Sequence, residues 1–464
     1  MVEATAALES LQALLSEVGE GRRLVSVTVP VELKDPSAAV FASRLAGDRW
    51  FCWEQPDRDG FALAALGAAH EVVSRGPQRF RDLVAACAEV GRGRLSSEPD
   101  DLPAGAGPVW VGGLAFAQDG GRTPPWSSLP PALMVLPELA LHRVAGRTHL
   151  TLCALTGPGV EAGATAHRLS ARLAALAADA PLPLADPHPT GDARIASALP
   201  PGRFEESVAR AVERIHAGEL EKVVLAREVV VEAPRAHDPA AIYGAVREQF
   251  ASCFCFCCGS PEAAFLGASP ELLVRRSGAG AATVALAGST RRSADPAVDD
   301  HLGQQLMRSA KDRREHQIVV RRIERALRSQ SVWVEAAPDP GLVKVANIQH
   351  LATPIRAQLS QPRSAIELAG LLHPTPAVGG EPRDRALAAI AELEELDRGW
   401  YAGPVGWMDA AEDGEFCVAI RSALLRDRAG HLFAGNGIVA DSEPEPELAE
   451  TEVKLGALLP LLAG

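Results

Sequence analysis

The stretch from residue 371 to residue 425 constrains the fold most, because proline and glycine divide it into short elements. It begins with a loop, His373 to Pro382, whose prolines fix φ and whose glycines allow conformations closed to other residues. A run with apolar residues at helical spacing follows, and then short strands separated by Gly403 and Gly406. A backbone of such a particular shape indicates a site that holds a polar small molecule through main-chain groups.

The charge balance and the hydropathy pattern exclude several classes of protein. The formal net charge of −13 at pH 7 argues against a nucleic-acid scaffold, since phosphate backbones bind basic surfaces. No apolar run approaches the roughly 20 residues that cross a bilayer. The N-terminal residues carry glutamates where an export signal carries basic residues. We therefore expect a soluble, cytoplasmic protein with neither a nucleic-acid nor a membrane partner.

Half of the eight cysteines stand in one short run, SCFCFCCG, at residues 252–259. Alternation with phenylalanine favours a buried strand over a metal site, because structural zinc sites usually space their cysteines as C-x2-C pairs. Without an export signal, these cysteines are expected to be reduced thiols.

The chain divides into two halves by its pattern. Residues 1–180 show short strands and turns with helices between them, which is typical of an α+β domain. Residues 181–202 are proline-rich and lack periodicity, so we predict a connection there. We place the two halves at residues 1–195 and 196–464.

Two residues of the second half are candidates for proton transfer. Lys222 opens the β-branched run EKVVLAREVVVEA, which predicts a strand, although a lysine that extends from a strand end to solvent is the simpler interpretation. Glu271 follows a Ser-Pro turn between apolar residues, where partial burial raises the pKa of a carboxyl and suits a proton donor. A carboxylate at a helix N-terminus explains Glu271 equally well.

Four carboxylates stand in two pairs with helical spacing. Asp312 and Glu315 belong to a long polar helix predicted for residues 298–328, and Glu447 and Glu450 to a second helix. Like charges on one face repel, so two pairs that meet need a cation, and oxygen donors alone favour Mg²⁺. The alternative is two solvated faces, neutralised by the neighbouring basic residues Arg313, Arg314 and Lys454.

Several collinear motifs resemble those of one enzyme family. They are HPTPAVGG-x-P, RGWYAGPVGW-x-D, GEF-x-VAIRSA and AG-x-GIV-x-DS. The sequence closely resembles the chorismate-utilising enzymes and, within them, the isochorismate synthases. The resemblance implies an α+β fold of large, mostly antiparallel β-sheets packed as a sandwich with helices on the outside. It also implies that residues 196–464 form the chorismate-binding catalytic half.

The resemblance implies an activity and the residues that perform it. The activity is the Mg²⁺-dependent conversion of chorismate to isochorismate, in which Lys222 activates the water that attacks C2 and Glu271 protonates the C4 hydroxyl. Glu315 and Glu450 would bind Mg²⁺ directly, with Asp312 and Glu447 in the outer shell. The substrate-binding residues that the resemblance implies are Gly288, Ser289, His350, Ala377, Tyr401, Arg421, Gly435, Gly437 and Lys454.

The resemblance also sets the partners and the alternatives. A monomer without a glutaminase subunit is expected, and its product would feed menaquinone, siderophore or salicylate synthesis. One alternative is a salicylate synthase, against which Ala377 argues, because lyase-competent relatives tend to carry threonine there. Another is a silent chorismate-binding subunit. Three positions depart from the usual family pattern, namely Ala310, Asn436 and Leu448.

Overall fold

The computed structural model describes residues 2–18, 21–186, 191–345 and 347–464. These residues form two β-sheets, of 13 and 10 strands. The strands are β1 Leu24–Val31, β2 Trp50–Gln55, β3 Phe61–Leu66, β4 His70–Ser74, β5 Leu95–Ser97, β6 Val109–Leu114, β7 Ala132–Leu136, β8 Leu139–Val144, β9 Arg147–Leu155, β10 Arg194–Ser197, β11 Lys222–Glu232, β12 Phe254–Gly259, β13 Ala264–Ser269, β14 Leu272–Ser277, β15 Gly280–Arg291, β16 Ser331–Ala336, β17 Gly341–Lys344, β18 Ile348–Leu359, β19 Gly380–Glu381, β20 Pro404–Asp409, β21 Gly414–Val418, β22 Ser422–Arg426 and β23 Ala429–Ile438. The helices are α1 Val2–Glu17, α2 Pro36–Ala42, α3 Arg79–Gly91, α4 Ala162–Ala174, α5 Pro201–His216, α6 Pro239–Gln249, α7 Pro296–Arg308, α8 Ala310–Arg328, α9 Ala365–Leu372, α10 Arg383–Leu393, α11 Pro444–Leu455 and α12 Leu459–Ala463.

Each sheet runs continuously through both halves of the chain. The larger sheet has the order β10-β11-β23-β22-β13-β12-β2-β3-β8-β9-β1-β5, with β19 also paired to β11. The smaller sheet has the order β16-β18-β15-β14-β21-β20-β6-β7-β4, with β17 also paired to β18. The halves meet where β2 pairs with β12 and β6 with β20. Of these pairings only that of β1 with β5 is parallel, so the predicted antiparallel sheets are confirmed.

The two sheets share one apolar core. Trp53 and Phe256 of the larger sheet belong to the same buried cluster as Trp407 and Phe416 of the smaller sheet. A second cluster covers the opposite face of the larger sheet, where α1, α2, α4 and α6 pack against it. This arrangement is the predicted sandwich with helices outside.

The predicted connection at residues 181–202 contains regular structure. Residues 194–197 form β10, which pairs with β11, so the predicted division between residues 195 and 196 falls inside a strand. Residues 187–190 of that segment lie outside the described part of the chain. The strand β10 is exposed along most of its length, which explains why its sequence lacks an apolar pattern.

One predicted helix is wrong in its length. In place of a single helix over residues 298–328, α7 ends and α8 begins at Ser309. Ser309 takes an extended conformation, and its hydroxyl accepts a hydrogen bond from the backbone N–H of Asp312 at 3.2 Å. A serine that caps a helix in this way satisfies a free N–H group and fixes where the helix starts. Asp312 therefore lies in the first turn of α8.

The cysteine run forms β12, as predicted, and all eight cysteines are buried free thiols. No helix in the described part of the chain combines the length and the apolar character needed to span a bilayer.

Candidate active site

A cavity of about 80 Å³ brings the predicted site residues together from distant parts of the chain. Strands β11, β15, β18 and β23, helices α8 and α11, and the loops that precede β14, β19, β20 and β22 contribute to its surroundings. Every residue predicted for catalysis, substrate or metal lines this cavity except Lys222. The roles of these residues stay predictions, whereas their convergence is a feature of the fold.

Lys222 lies directly behind the cavity wall. Its side chain is 1% exposed, and its Nζ lies 2.7 Å from Glu315 Oε1, which does line the cavity. Both side chains lie against Gly437, where a Cβ would collide with Glu315 Oε1 and would lie 2.6 Å from Lys222 Cε. Glycine at this position therefore makes room for the ion pair, and the ammonium reaches the cavity through Glu315.

Glu271 is a buried carboxyl with a strongly perturbed pKa. Burial raises its pKa to about 8, even though Lys222, Thr375 and Arg421 act to lower it. The hydroxyl of Thr375 lies 3.5 Å from Glu271 Oε1. At neutral pH a carboxyl of this kind is largely protonated and is able to donate a proton.

The four carboxylates line one cavity, and three of them pair with different lysines. Glu315 pairs with Lys222, Glu450 with Lys454 at 2.8 Å, and Glu447 with Lys311 at 3.3 Å. The pKa of Asp312 is raised by burial and by the charges of Glu315 and Glu450.

Repulsion also acts between the two carboxylates of α11. The pKa of Glu447 is raised by burial and then by Glu450. Within the described residues no three histidine, cysteine or acidic side chains form a ready-made metal site. Mg²⁺ needs only one or two direct carboxylates beside water or substrate, so mutually repelling oxygen donors around one cavity fit this ion.

Lys454 and Asn436 link the two carboxylates of α11. Lys454 Nζ donates to Asn436 Oδ1 at 2.6 Å and to the backbone oxygen of Gly435 at 2.9 Å. Asn436 Nδ2 donates to Glu447 Oε2 at 3.0 Å. Although burial opposes the shift, Lys454 and a hydrogen bond from Ser289 lower the pKa of Glu450 to about 2. Asn436 departs from the usual family residue, and here it holds a cation and a carboxylate in fixed positions.

Arg421 brings a positive charge to the cavity. Arg421 has a left-handed backbone, with φ of 50°, and its Nη2 donates to His350 Nε2 at 3.3 Å. Burial, together with Arg421 and Lys454, holds the pKa of His350 well below its usual value, so its imidazole is neutral. Burial raises the pKa of Tyr401 to about 12, so its hydroxyl keeps its proton. A planar guanidinium beside neutral donors suits a carboxylate.

Two further charged residues line the cavity, and the sequence interpretation assigned a role to neither of them. Lys311 immediately precedes Asp312 and is one of only five lysines in the chain, which is a signal that was available. Arg398 begins the RGWYAG motif, and its Nη1 and Nη2 donate to the backbone oxygens of Val378 and Val224 at 2.8 and 2.9 Å. Arg398 thus ties the loop containing Ala377 to β11, the strand that Lys222 opens.

Comparison with known proteins agrees with this geometry. The sequence model of the family described as chorismate binding enzyme matches residues 9–463. A salicylate biosynthesis isochorismate synthase of Pseudomonas aeruginosa is 40% identical over 420 residues, which cover 88% of this chain and 83% of that protein. Isochorismate synthase MenF of Bacillus subtilis is 33% identical over 451 residues, which cover 95% of this chain and 94% of that protein.

A solved structure shares the whole architecture. The menaquinone-specific isochorismate synthase MenF from Escherichia coli superposes with a TM-score of 0.81 at 29% identity, covering 99% of this chain and all of that one. The family match, these relatives and the shared sandwich agree with the sequence motifs. The chain belongs to the chorismate-binding enzyme family.

Proposed function

We propose that this protein is an isochorismate synthase that adds water to C2 of chorismate and expels the C4 hydroxyl. The observation that carries the proposal is that Lys222 lies behind the wall of the same small cavity that Glu271 lines. One supplies an amine enclosed by the protein, and the other a carboxyl whose pKa is about 8. An enzyme that adds and removes water at different carbons needs such a base and such an acid.

Each of the two residues moves one proton. Lys222, as the neutral amine, takes a proton from the water whose oxygen bonds to C2. The ring double bonds then shift, the C4–oxygen bond breaks, and Glu271 gives its proton to the departing hydroxyl as water. One water is consumed and one released, so the reaction is an isomerisation, and microscopic reversibility exchanges the two roles in the back reaction.

Two charged regions would position the substrate. Arg421 and Tyr401 would receive the enolpyruvyl carboxylate, and the backbone at Gly435 and Gly437 approaches the same group. Backbone N–H groups at Gly288 and Ser289 would face the ring carboxylate. The neutral imidazole of His350 and the methyl group of Ala377 also line the cavity.

The acidic residues would hold a magnesium ion. Glu315 and Glu450 would be direct ligands, while Asp312 and Glu447 would bind through water. The bound cation supplies positive charge to the ring carboxylate. We further propose that the enzyme acts in the cytoplasm as a monomer without an ammonia-delivering subunit, since water is its nucleophile and its eight cysteines are free thiols.

The test is to incubate the purified protein with chorismate, in Mg²⁺ or in EDTA, and to separate the products by chromatography. We expect isochorismate with Mg²⁺ and unchanged chorismate with EDTA. Salicylate and pyruvate as main products would instead indicate the lyase activity, and chorismate unchanged under both conditions would overturn the proposal.

A further inference from the structure

A second, much larger cavity shares one described lining residue, Arg398, with the catalytic cavity. Its volume is about 1100 Å³, and it is enclosed by α3, α9, α10 and the loops that follow β6 and α10. Apolar side chains make up much of its wall, among them Phe80, Val84, Phe116, Leu368 and Leu387. A cavity with apolar walls and a few polar groups is the usual form of a small-molecule site.

Two arginines of this cavity lack an acidic partner. Within the described residues, neither Arg79 nor Arg383 forms an ion pair, and the Nε atom of each is buried without a hydrogen-bond partner. Arg79 is 6% exposed, and its Nη2 donates only to the backbone oxygens of Ala115 and Phe116, at 3.1 and 3.4 Å. Burial, followed by the charge of Arg383, lowers the pKa of Arg79 to about 10. Arg383 is half-buried, and Asp119 partly offsets the charge of Arg79 without forming an ion pair with it. Two neighbouring arginines outside any ion pair form a site for an anion.

We propose that this cavity binds a small cyclic carboxylic acid. Its carboxylate would lie against Arg79 and Arg383, and its ring against Phe80 and Phe116. An inorganic anion would leave the apolar walls uncovered, and a neutral ring would leave the arginines uncompensated. The inference is independent of the proposed function, because it involves none of the catalytic residues.

Isothermal titration calorimetry with 4-hydroxybenzoate as the probe tests the proposal on the full chain. We expect the acid to bind at least tenfold more tightly than its neutral counterpart, 4-hydroxybenzyl alcohol. Arg383→Met should weaken binding of the acid at least tenfold. Arg383 is preferred to Arg79 for this test, because Arg79 also holds two backbone oxygens that the fold requires.

Two control variants make the experiment decisive. Arg363 lines the same cavity but is paired with Glu367 at 3.2 Å, so Arg363→Met should leave the affinity unchanged. Arg421→Met alters the catalytic cavity and should also leave it unchanged. The proposal is overturned if Arg383→Met binds the acid as tightly as the wild type does, or if the acid and the alcohol bind equally. It is also overturned if Arg421→Met abolishes binding, because the probe would then lie in the catalytic cavity.

Discussion

Lys222 Nζ lies 2.7 Å from Glu315 Oε1, so the proposed base is paired with a proposed ligand of the metal. If Glu315 binds Mg²⁺ as proposed, the metal ion and Lys222 in its protonated form would compete for the same carboxylate oxygen. The pair is almost fully enclosed, with side-chain exposures of 1% and 12%, so the competition takes place in a medium where charges interact strongly.

Lys222→Met should separate the role of Lys222 as a base from its competition with Mg²⁺ for Glu315. We expect isochorismate formation to fall by about 100-fold or more, because the base is lost. Mg²⁺ should bind about tenfold more tightly, because the competing ammonium is gone. Calorimetry measures the second effect without turnover. Lys34→Met, an exposed lysine outside both cavities, is the control, and unchanged Mg²⁺ affinity in Lys222→Met would contradict the competition.

Glu271 should make the protein less stable as pH rises. Its pKa is about 8 in the folded chain against an ordinary value of 4.5, so the folded state binds more protons between those values. The free energy of unfolding therefore falls as pH rises through that window. Urea unfolding at pH 5.5 and pH 8 should show this loss in the wild type and a smaller loss in Glu271→Gln. An equal loss of unfolding free energy in the two proteins would refute the raised pKa of Glu271. Isochorismate formation should also decline above about pH 8.

The outer carboxylates should matter for metal binding. Asp312→Asn and Glu447→Gln should each lower Mg²⁺ affinity by about 10–100-fold, as is typical when groups that orient metal ligands are removed. Calorimetric titration measures this directly. Glu452→Gln is the matched control for Glu447→Gln, because Glu452 also lies on α11 but pairs with Arg227 away from the cavity. A similar loss in that variant would show that only the net charge of the helix matters.

Asn436→Ala should destabilise the protein but still allow it to fold. The change removes hydrogen bonds to Lys454 and Glu447, so we expect a loss of about 1–3 kcal/mol in the free energy of unfolding. Asn347→Ala removes one exposed hydrogen bond and should cost less than about 0.5 kcal/mol. Urea denaturation compares the two, and equal losses would count against a special role for Asn436.

Glu394→Gln should be strongly destabilising. Arg398 and Glu394 form a buried ion pair with side-chain exposures of 3% and 2%, and Glu394 also accepts from the backbone N–H of Ala226 at 2.8 Å. Removing one partner of such a pair costs about 3–5 kcal/mol, because the other charge stays buried. Glu392→Gln, in an exposed ion pair, should cost about 1 kcal/mol or less. Thermal unfolding of both variants checks the difference.

The sequence predicted the elements whose pattern is local. Lys222 opens β11 as its β-branched run indicated, and Glu447 and Glu450 share α11. The break at Ser309 was missed because the helical pattern continues on both sides of it, and a capping serine resembles any polar residue.

Contacts between distant segments were beyond the reach of a local pattern. Arg398 donates to the backbone oxygen of Val224, 174 residues away, and no spacing rule connects the two. Asn436 was noted only as a departure, because its partners lie on the next helix. The resemblance to a family supplied the list of site residues, which composition and periodicity alone left open.

Helix α11 carries Glu447, Glu450 and Lys454, and it follows every strand of both sheets along the chain. During synthesis the ribosome therefore completes the two sheets before it produces the helix that closes the catalytic cavity. A nascent chain paused after β23 has Lys222 and Glu271 but lacks half of the proposed metal ligands. Activity should thus appear only after α11 has been synthesised, and a fusion that holds α11 away from β23 should silence an otherwise folded protein.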